Sequence, residues 1–171
     1  MKNLLIVVDM QNDFVSGVLG SKEAQQVLSE VNRRISEAET VIYTLDTHTE
    51  DYLSTQEGKN LPVVHCIKGT WGHALAEGLL VKEGSKLIEK PTFGSVALGE
   101  YVNDLYTSGQ IGSVELVGVC TDICVISNAL LLKACCPELP VSVLSHCCAG
   151  VTPESHETAL KSMAMCQVKI L

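Results

Sequence analysis

At 171 residues the chain fits one domain, whose core can bury about 70% of the surface exposed on unfolding without disulfide or metal staples. A formal net charge of −8 with no Lys/Arg cluster argues against a nucleic-acid or anionic-membrane partner. Hydrophobic residues at 46% indicate a globular rather than a disordered chain, and no apolar run reaches the roughly 18 residues of a membrane span.

Asn3 to Asp9 (NLLIVVD) is a continuous apolar run ending on a carboxylate, the pattern of a strand buried on both faces. The opening resembles a secretory leader only briefly. Asp9 ends the apolar core after Leu4-Leu5-Ile6-Val7-Val8, below the roughly 7–15 residues required, so an uncleaved cytoplasmic protein is expected. Ser21 to Glu39 carries a helical stripe of Ala24, Val27, Leu28, Val31 and Ile35. Thr40 to Asp46 (TVIYTLD) is the second strand. Thr47 to Gly72 has no periodicity and is long for a connection, and its His, Asp and Glu content marks it as functional.

A short helix is expected from His73 to Val81, then a strand at Lys86 to Glu89 ending beside Lys90. Helix is predicted over Ser95–Tyr106, strand over Ser113–Val119 and helix over Thr121–Ala134. Val141–Leu144 and Gln167–Leu171 are further strands, separated by a helix from Pro153 to about Met165, where Thr152 and Pro153 suit a cap and a first helical position. Six short strands alternating with helices predict a three-layer α/β/α fold around a mostly parallel sheet, the whole chain, 1–171, forming one domain.

Parallel sheets of this kind put their chemistry beyond the carboxyl ends of the strands. Asp9, Lys90 and Cys124 fall at or just past such ends. Each also has a plain structural reading: Asp9 as a cap or turn residue, Lys90 as a solvated lysine, Cys124 as a buried helix cysteine. In the first turn of a helix, Cys124 would find free N–H groups and a dipole that favour a thiolate. Its separation from Cys120 is not the C-x-x-C spacing of thiol oxidoreductases. The eight cysteines sit largely in apolar runs and are expected to be mostly reduced and buried. Asp46-Thr47-His48 at a strand end, with His65 downstream, combines carboxylate and imidazole, a donor set suited to zinc, iron or manganese.

Taken together, V-D-M-Q-N-D-F from Val8, D-x-H at Asp46, H-C-x-x-G-T from His65, Lys90 with its departing K-x-x-x-x-F context, and G-V-x-T-D-I-C-V from Gly118 resemble the isochorismatase-like cysteine hydrolases, a family whose best-known members are nicotinamidases. The resemblance implies a six-stranded sheet and a catalytic triad of Asp9, Lys90 and Cys124, with Cys124 favouring the amide-hydrolysing branch. It implies an oxyanion hole from the backbone N–H groups of Cys120 and Cys124, with a cis peptide at Val119–Cys120. It implies a divalent metal, zinc foremost, on Asp46, His48, His65 and Glu57, and no organic cofactor. Phe14 and Val119 are placed against the substrate, and Trp71 either lines the pocket or covers the core. The implied substrate is a small planar primary amide, most notably nicotinamide, with another amide or an N-carbamoyl compound as the alternative. A non-catalytic member of the fold is the competing reading, and a homo-oligomer is expected. Two departures stand out: the second histidine common in the metal loop is missing near Tyr52, and Leu61-Pro62 replaces a usual aromatic-proline pair.

Overall fold

Alternation along the first apolar run sets the architecture of residues 2–171, which the computed structural model describes. In β1 (Lys2–Val8), Leu4, Ile6 and Val8 enter one core while Leu5 and Val7 enter the other. Both faces are therefore covered. Helix α2 (Lys22–Glu37) packs Ala24, Val31 and Ile35 on one side of the sheet. On the other side lie α4 (Val96–Thr107), α5 (Ile126–Cys135) and α6 (Pro153–Met165).

The remaining strands are β2 (Thr40–Asp46), β3 (Lys86–Lys90), β4 (Ile111–Val119), β5 (Val141–Ala149) and β6 (Lys169–Ile170). Their spatial order is β3-β2-β1-β4-β5-β6, and every neighbouring pair is parallel. The α/β architecture expected from the alternation is the one observed. All carboxyl ends consequently lie along one edge, and loops from β1, β2, β3, β4 and β5 can meet there.

Local chemistry fixes the helix starts. The hydroxyls of Ser21 and Ser95 accept from the N–H groups of Ala24 (3.0 Å) and Leu98 (3.1 Å). Thr152 and Ser155 form a reciprocal cap with Pro153 in the first helical position. At Gly118, φ is 115°, and a β-carbon would collide with the backbone of Val8 on the adjacent strand. Only glycine lets β4 approach β1 so closely at the level of the site.

Three segments differ from expectation. His73–Val81 is not helical: the carbonyls of Gly72 and Ala74 accept from Asp13 and Asn12, Ala76 donates to Met10, and Gly78 at φ 83° turns the chain. Pairing with the segment after β1 takes the groups a helix would need. Strand β5 runs on to Ala149 rather than ending at Leu144, because an irregularity in its pairing with β4 carries it past Ser145 and His146. Thr121–Val125 is a wide π-type turn, and regular α-helix begins only at Ile126. The connection after β2 holds a single 3₁₀ turn (Tyr52–Ser54) and a short helix α3 (Gln56–Asn60); a short helix α1 (Asn12–Val15) follows β1.

All eight cysteines are free thiols, five of them buried, while Cys135 and Cys166 are exposed and Cys120 is half-buried. No helix among the described residues is long and apolar enough to cross a membrane.

Candidate active site

Strand ends deliver the reactive groups to one place. Asp9 follows β1 at φ 48°, in the left-handed region that Asp tolerates better than most residues. Thr44, reaching up from β2, donates its hydroxyl to Asp9 Oδ1 at 2.6 Å and accepts the Asp9 N–H at 3.2 Å. The other carboxylate oxygen lies 2.6 Å from Lys90 Nζ at the end of β3. Its contact with that ammonium is one of charge, since Oδ2 has no well-aligned hydrogen-bond donor. Lys90 Nζ also donates to the Thr92 carbonyl (3.1 Å), approaches the Cys124 sulfur at 3.7 Å and lies 3.5 Å from Asp46 Oδ1. The thiol of Cys124, held by Lys90, feels the charge of the Asp9 carboxylate. With Asp9 and Lys90 at 0% and 1% exposure, these groups interact through a medium far less screening than water.

Burial pushes the Asp9 carboxyl upward, and the Lys90 charge counters only part of that rise. Burial acts on Lys90 in the opposite sense, yet the charges of Asp9, Cys124 and Asp46 outweigh it and hold the ammonium above its ordinary range. The Cys124 thiol is raised well above the usual cysteine value, first by burial and then by the Asp9 carboxylate, with Lys90 opposing. The surroundings differ from the regular helix N-terminus expected for Cys124, which lies in a π-type turn near a carboxylate.

That turn has a second consequence. The Cys120 carbonyl accepts from Ile123 (3.1 Å) and Val125 (3.0 Å), bonds that bypass the intervening amide of Cys124. The Val119–Cys120 peptide preceding it is cis. Asn128, fully buried one turn on, donates to the Cys124 carbonyl at 2.8 Å and to the Phe93 carbonyl at 3.1 Å, and accepts from Ser95 N at 2.9 Å. One amide thus ties the thiol-bearing turn to the segment after Lys90.

Beside the thiol stands the second constellation. The ligand atoms of Asp46, His48, Glu57 and His65 all lie within 4.8 Å of one another. Asp46 Oδ2 is 2.8 Å from His48 Nε2 and 3.4 Å from His65 Nε2; Glu57 Oε1 is 3.5 and 3.7 Å from the same two nitrogens. His65 Nδ1 lies 2.7 Å from the Val63 carbonyl, which fixes the ring with Nε2 facing the cluster. Burial alone would raise the Asp46 carboxyl, but the two histidines and Lys90 hold it well below the carboxylate range. Burial and the Asp46 charge instead push Glu57 upward. Two imidazoles and two carboxylates converging, with Asp46 Oδ1 buried and lacking any hydrogen-bond partner, fit a divalent cation.

Several supports carried no separate signal in the sequence, although the motif after Val8 contains three of them. Gln11 receives the Asp46 N–H (2.7 Å) and donates to the Asp46 and His73 carbonyls (both 2.8 Å), pinning the end of β2. Asn12 donates to the Trp71 carbonyl at 2.8 Å, and Asp13 receives the Cys66 N–H at 2.8 Å, holding the residue after His65. Tyr52, where a second loop histidine was missed, packs its ring 4.7 Å from His48 and 4.9 Å from His65. His156 Nδ1 lies 2.8 Å from the hydroxyl of Thr121, the first residue of the π-type turn.

A cavity of about 360 Å³ opens over Cys124 and reaches the metal-type cluster. Phe14 and Val119 line it, and Phe14 sets its ring edge-on to His65 at 5.5 Å. Leu61, of the unusual Leu-Pro pair, forms part of the wall. Trp71 does not. It stands 53% exposed with its indole N–H donating to Glu77 at 2.8 Å, so neither a pocket wall nor a core cover describes it.

The isochorismatase domain family pattern matches residues 3–171. The chain is similar to a nicotinamidase of Schizosaccharomyces pombe, at 27% identity over 98% of this chain and 91% of that protein. It is similar also to a probable inactive nicotinamidase of Arabidopsis thaliana, at 29% identity over 96% of this chain and 89% of the relative. Among solved structures, the pyrazinamidase of Pyrococcus horikoshii in complex with zinc superposes with a TM-score of 0.84, at 27% identity over 100% of this chain and 99% of that one.

Proposed function

We propose that this chain, which belongs to the isochorismatase family, is a cysteine-dependent amidohydrolase converting a small planar primary amide, nicotinamide foremost, to its carboxylic acid and ammonia. The observation that carries this reading is the buried Lys90 ammonium, 2.6 Å from the Asp9 carboxylate and 3.7 Å from the sulfur of Cys124, which lines an open cavity. The similarity to nicotinamidases and a pyrazinamidase supports the substrate class. The match of the family pattern across residues 3–171 supports one domain acting as the unit.

In the proposed reaction, Asp9 takes the thiol proton as sulfur bonds to the amide carbon, and Lys90 offsets the charge that sulfur acquires. The raised carboxyl makes Asp9 a stronger proton acceptor than an exposed carboxylate. Negative charge developing on the amide oxygen is met by the backbone N–H groups of Cys120 and Cys124. Asp9 then passes its proton to the nitrogen as the C–N bond breaks, and ammonia leaves a thioester. Asp9 next draws a proton from water, which attacks the thioester and releases the acid and the thiol.

Asp46, His48, His65 and Glu57 would hold a divalent ion, zinc in this proposal, which supplies a Lewis-acidic point of attachment for a ring nitrogen. Phe14 and Val119 would confine the ring between that point and Cys124.

Ammonia release from nicotinamide and pyrazinamide tests the proposal, and its absence across primary amides with metal supplied would refute it. Chelation is expected to lower kcat/KM by roughly 10–100-fold, with recovery on adding zinc. His65→Ala should reduce bound metal measured by elemental analysis; full metal content in that variant would remove the cluster from the account.

A further inference from the structure

The cavity is larger and more apolar than a single pyridine ring requires. Nicotinamide has nine heavy atoms and, at the ~0.75 packing density of a protein interior, fills roughly 150 Å³. The cavity measures about 360 Å³.

Strand order says where the excess lies. Asp46 ends β2 and Cys124 follows β4, so a ring held between them spans β2, β1 and β4. The cavity continues past the thiol to Ala149, Gly150 and Val151 at the end of β5, another strand spacing of about 4.8 Å. Leu19, Gly20 and Ala24, from the entry to α2, also line the cavity, and α2 packs on the face of the sheet that carries Ala149. Ser21, also in this wall, spends its hydroxyl on capping α2. Among the described residues no Lys or Arg lines the cavity, Lys90 beneath it is already held by Asp9 at 2.6 Å, and the cluster proposed to hold a divalent ion stands at the β2 end, away from β5.

The amide nitrogen has no comparable freedom. It must reach Asp9, which is fully buried, so the extra space belongs to the acyl part of the substrate and the nitrogen remains a primary amide.

We infer that the preferred substrates are neutral primary carboxamides with an apolar acyl group larger than one ring, which extends past Cys124 over the end of β5, and that amides bearing a carboxylate are rejected. This deepens the amidohydrolase proposal and rests on it. The N-carbamoyl amino acids are thereby disfavoured, because past Cys124, at the β5 end away from the metal-type cluster, their carboxylate would be buried without a partner, which is costly.

The test compares nicotinamide, its benzo-fused analogue quinoline-3-carboxamide, and N-carbamoylglycine on the full chain with zinc supplied. The bicyclic amide should release ammonia with kcat/KM above that of nicotinamide, by about tenfold for one additional buried ring, and N-carbamoylglycine should release none. A kcat/KM for the bicyclic amide at or below that of nicotinamide overturns the inference, as does turnover of N-carbamoylglycine comparable to nicotinamide. Calorimetric binding to Cys124→Ala keeps the inference separate from the catalytic proposal: tighter binding of the bicyclic amide supports it even if no amide is hydrolysed, and equal or weaker binding overturns it. Ala24→Leu, checked for folding by thermal unfolding, should weaken the bicyclic amide more than nicotinamide; an equal effect on both overturns the placement beyond the thiol.

Discussion

Cys124→Ala is expected to lower kcat/KM for nicotinamide by roughly 10⁴-fold or more while the chain remains folded. The size of the effect follows from the lack of a substitute nucleophile. Cys120 also lines the cavity, but burial and the charges of Asp122 and Asp9 raise its thiol with no ammonium opposing them, as Lys90 does at Cys124. Only its N–H enters the proposed reaction. Cys120→Ala should therefore keep activity within about tenfold, since a backbone donor survives the substitution. Ammonia release by the two variants, measured side by side, distinguishes the sulfur that attacks from the one that merely lines the wall. Comparable losses in both would contradict that division of roles.

Lys90→Met should be the most destabilising single change in the site. The ammonium touches Asp9 at 2.6 Å and Asp46 at 3.5 Å, and both carboxylates are buried with an oxygen that has no hydrogen-bond donor. Removing the shared cation leaves two like charges without it, a change that costs roughly 3–5 kcal/mol in buried pairs. For a chain of this size the melting temperature should fall by on the order of 10 °C. The sign of the pH dependence is fixed. Without Lys90, only the Thr44 hydroxyl still opposes burial and Asp46 at Asp9, so its folded-state pKa rises further above the unfolded value. An acid raised in the folded state penalises folding when ionised, so the deficit should be largest at pH 8 and shrink as pH falls through that raised pKa. Equal melting temperatures for variant and parent across that range would mean that Lys90 does not hold the two carboxylates together.

What the sequence conveyed was mostly what hydrophobic patterning conveys. Strands β1 and β2 are uninterrupted apolar runs, and both end at the residues where the pattern breaks, next to Asp9 and at Asp46. Strand β5 was half missed because Ser145 and His146 interrupt its pattern at an irregularity in pairing, which alternation cannot anticipate. His73–Val81 carries apolar residues at helical spacing, but its backbone is engaged by residues 10–13, a tertiary effect that outweighs local preference. In the site, the D-x-H spacing identified Asp46 and His48, since both side chains of such a pair can reach one point at a strand end. For Cys124, position in a helix suggests a dipole, whereas its burial and the charges of Lys90 and Asp9 around it emerge only in three dimensions. Gln11, Asp13 and Asn128 were invisible as supports because their partners, apart from the Cys124 carbonyl bound by Asn128, lie 33 to 62 residues away in the chain.

A covalent bond between substrate and one sulfur is the core of the proposed chemistry. Acid quenching within the first turnovers on nicotinamide, followed by peptide mass spectrometry, should find the nicotinoyl group on the peptide carrying Cys124, removable by hydroxylamine as a thioester is. Steady turnover with Cys124 unmodified at every quench time, or the acyl group on another residue, would contradict the account.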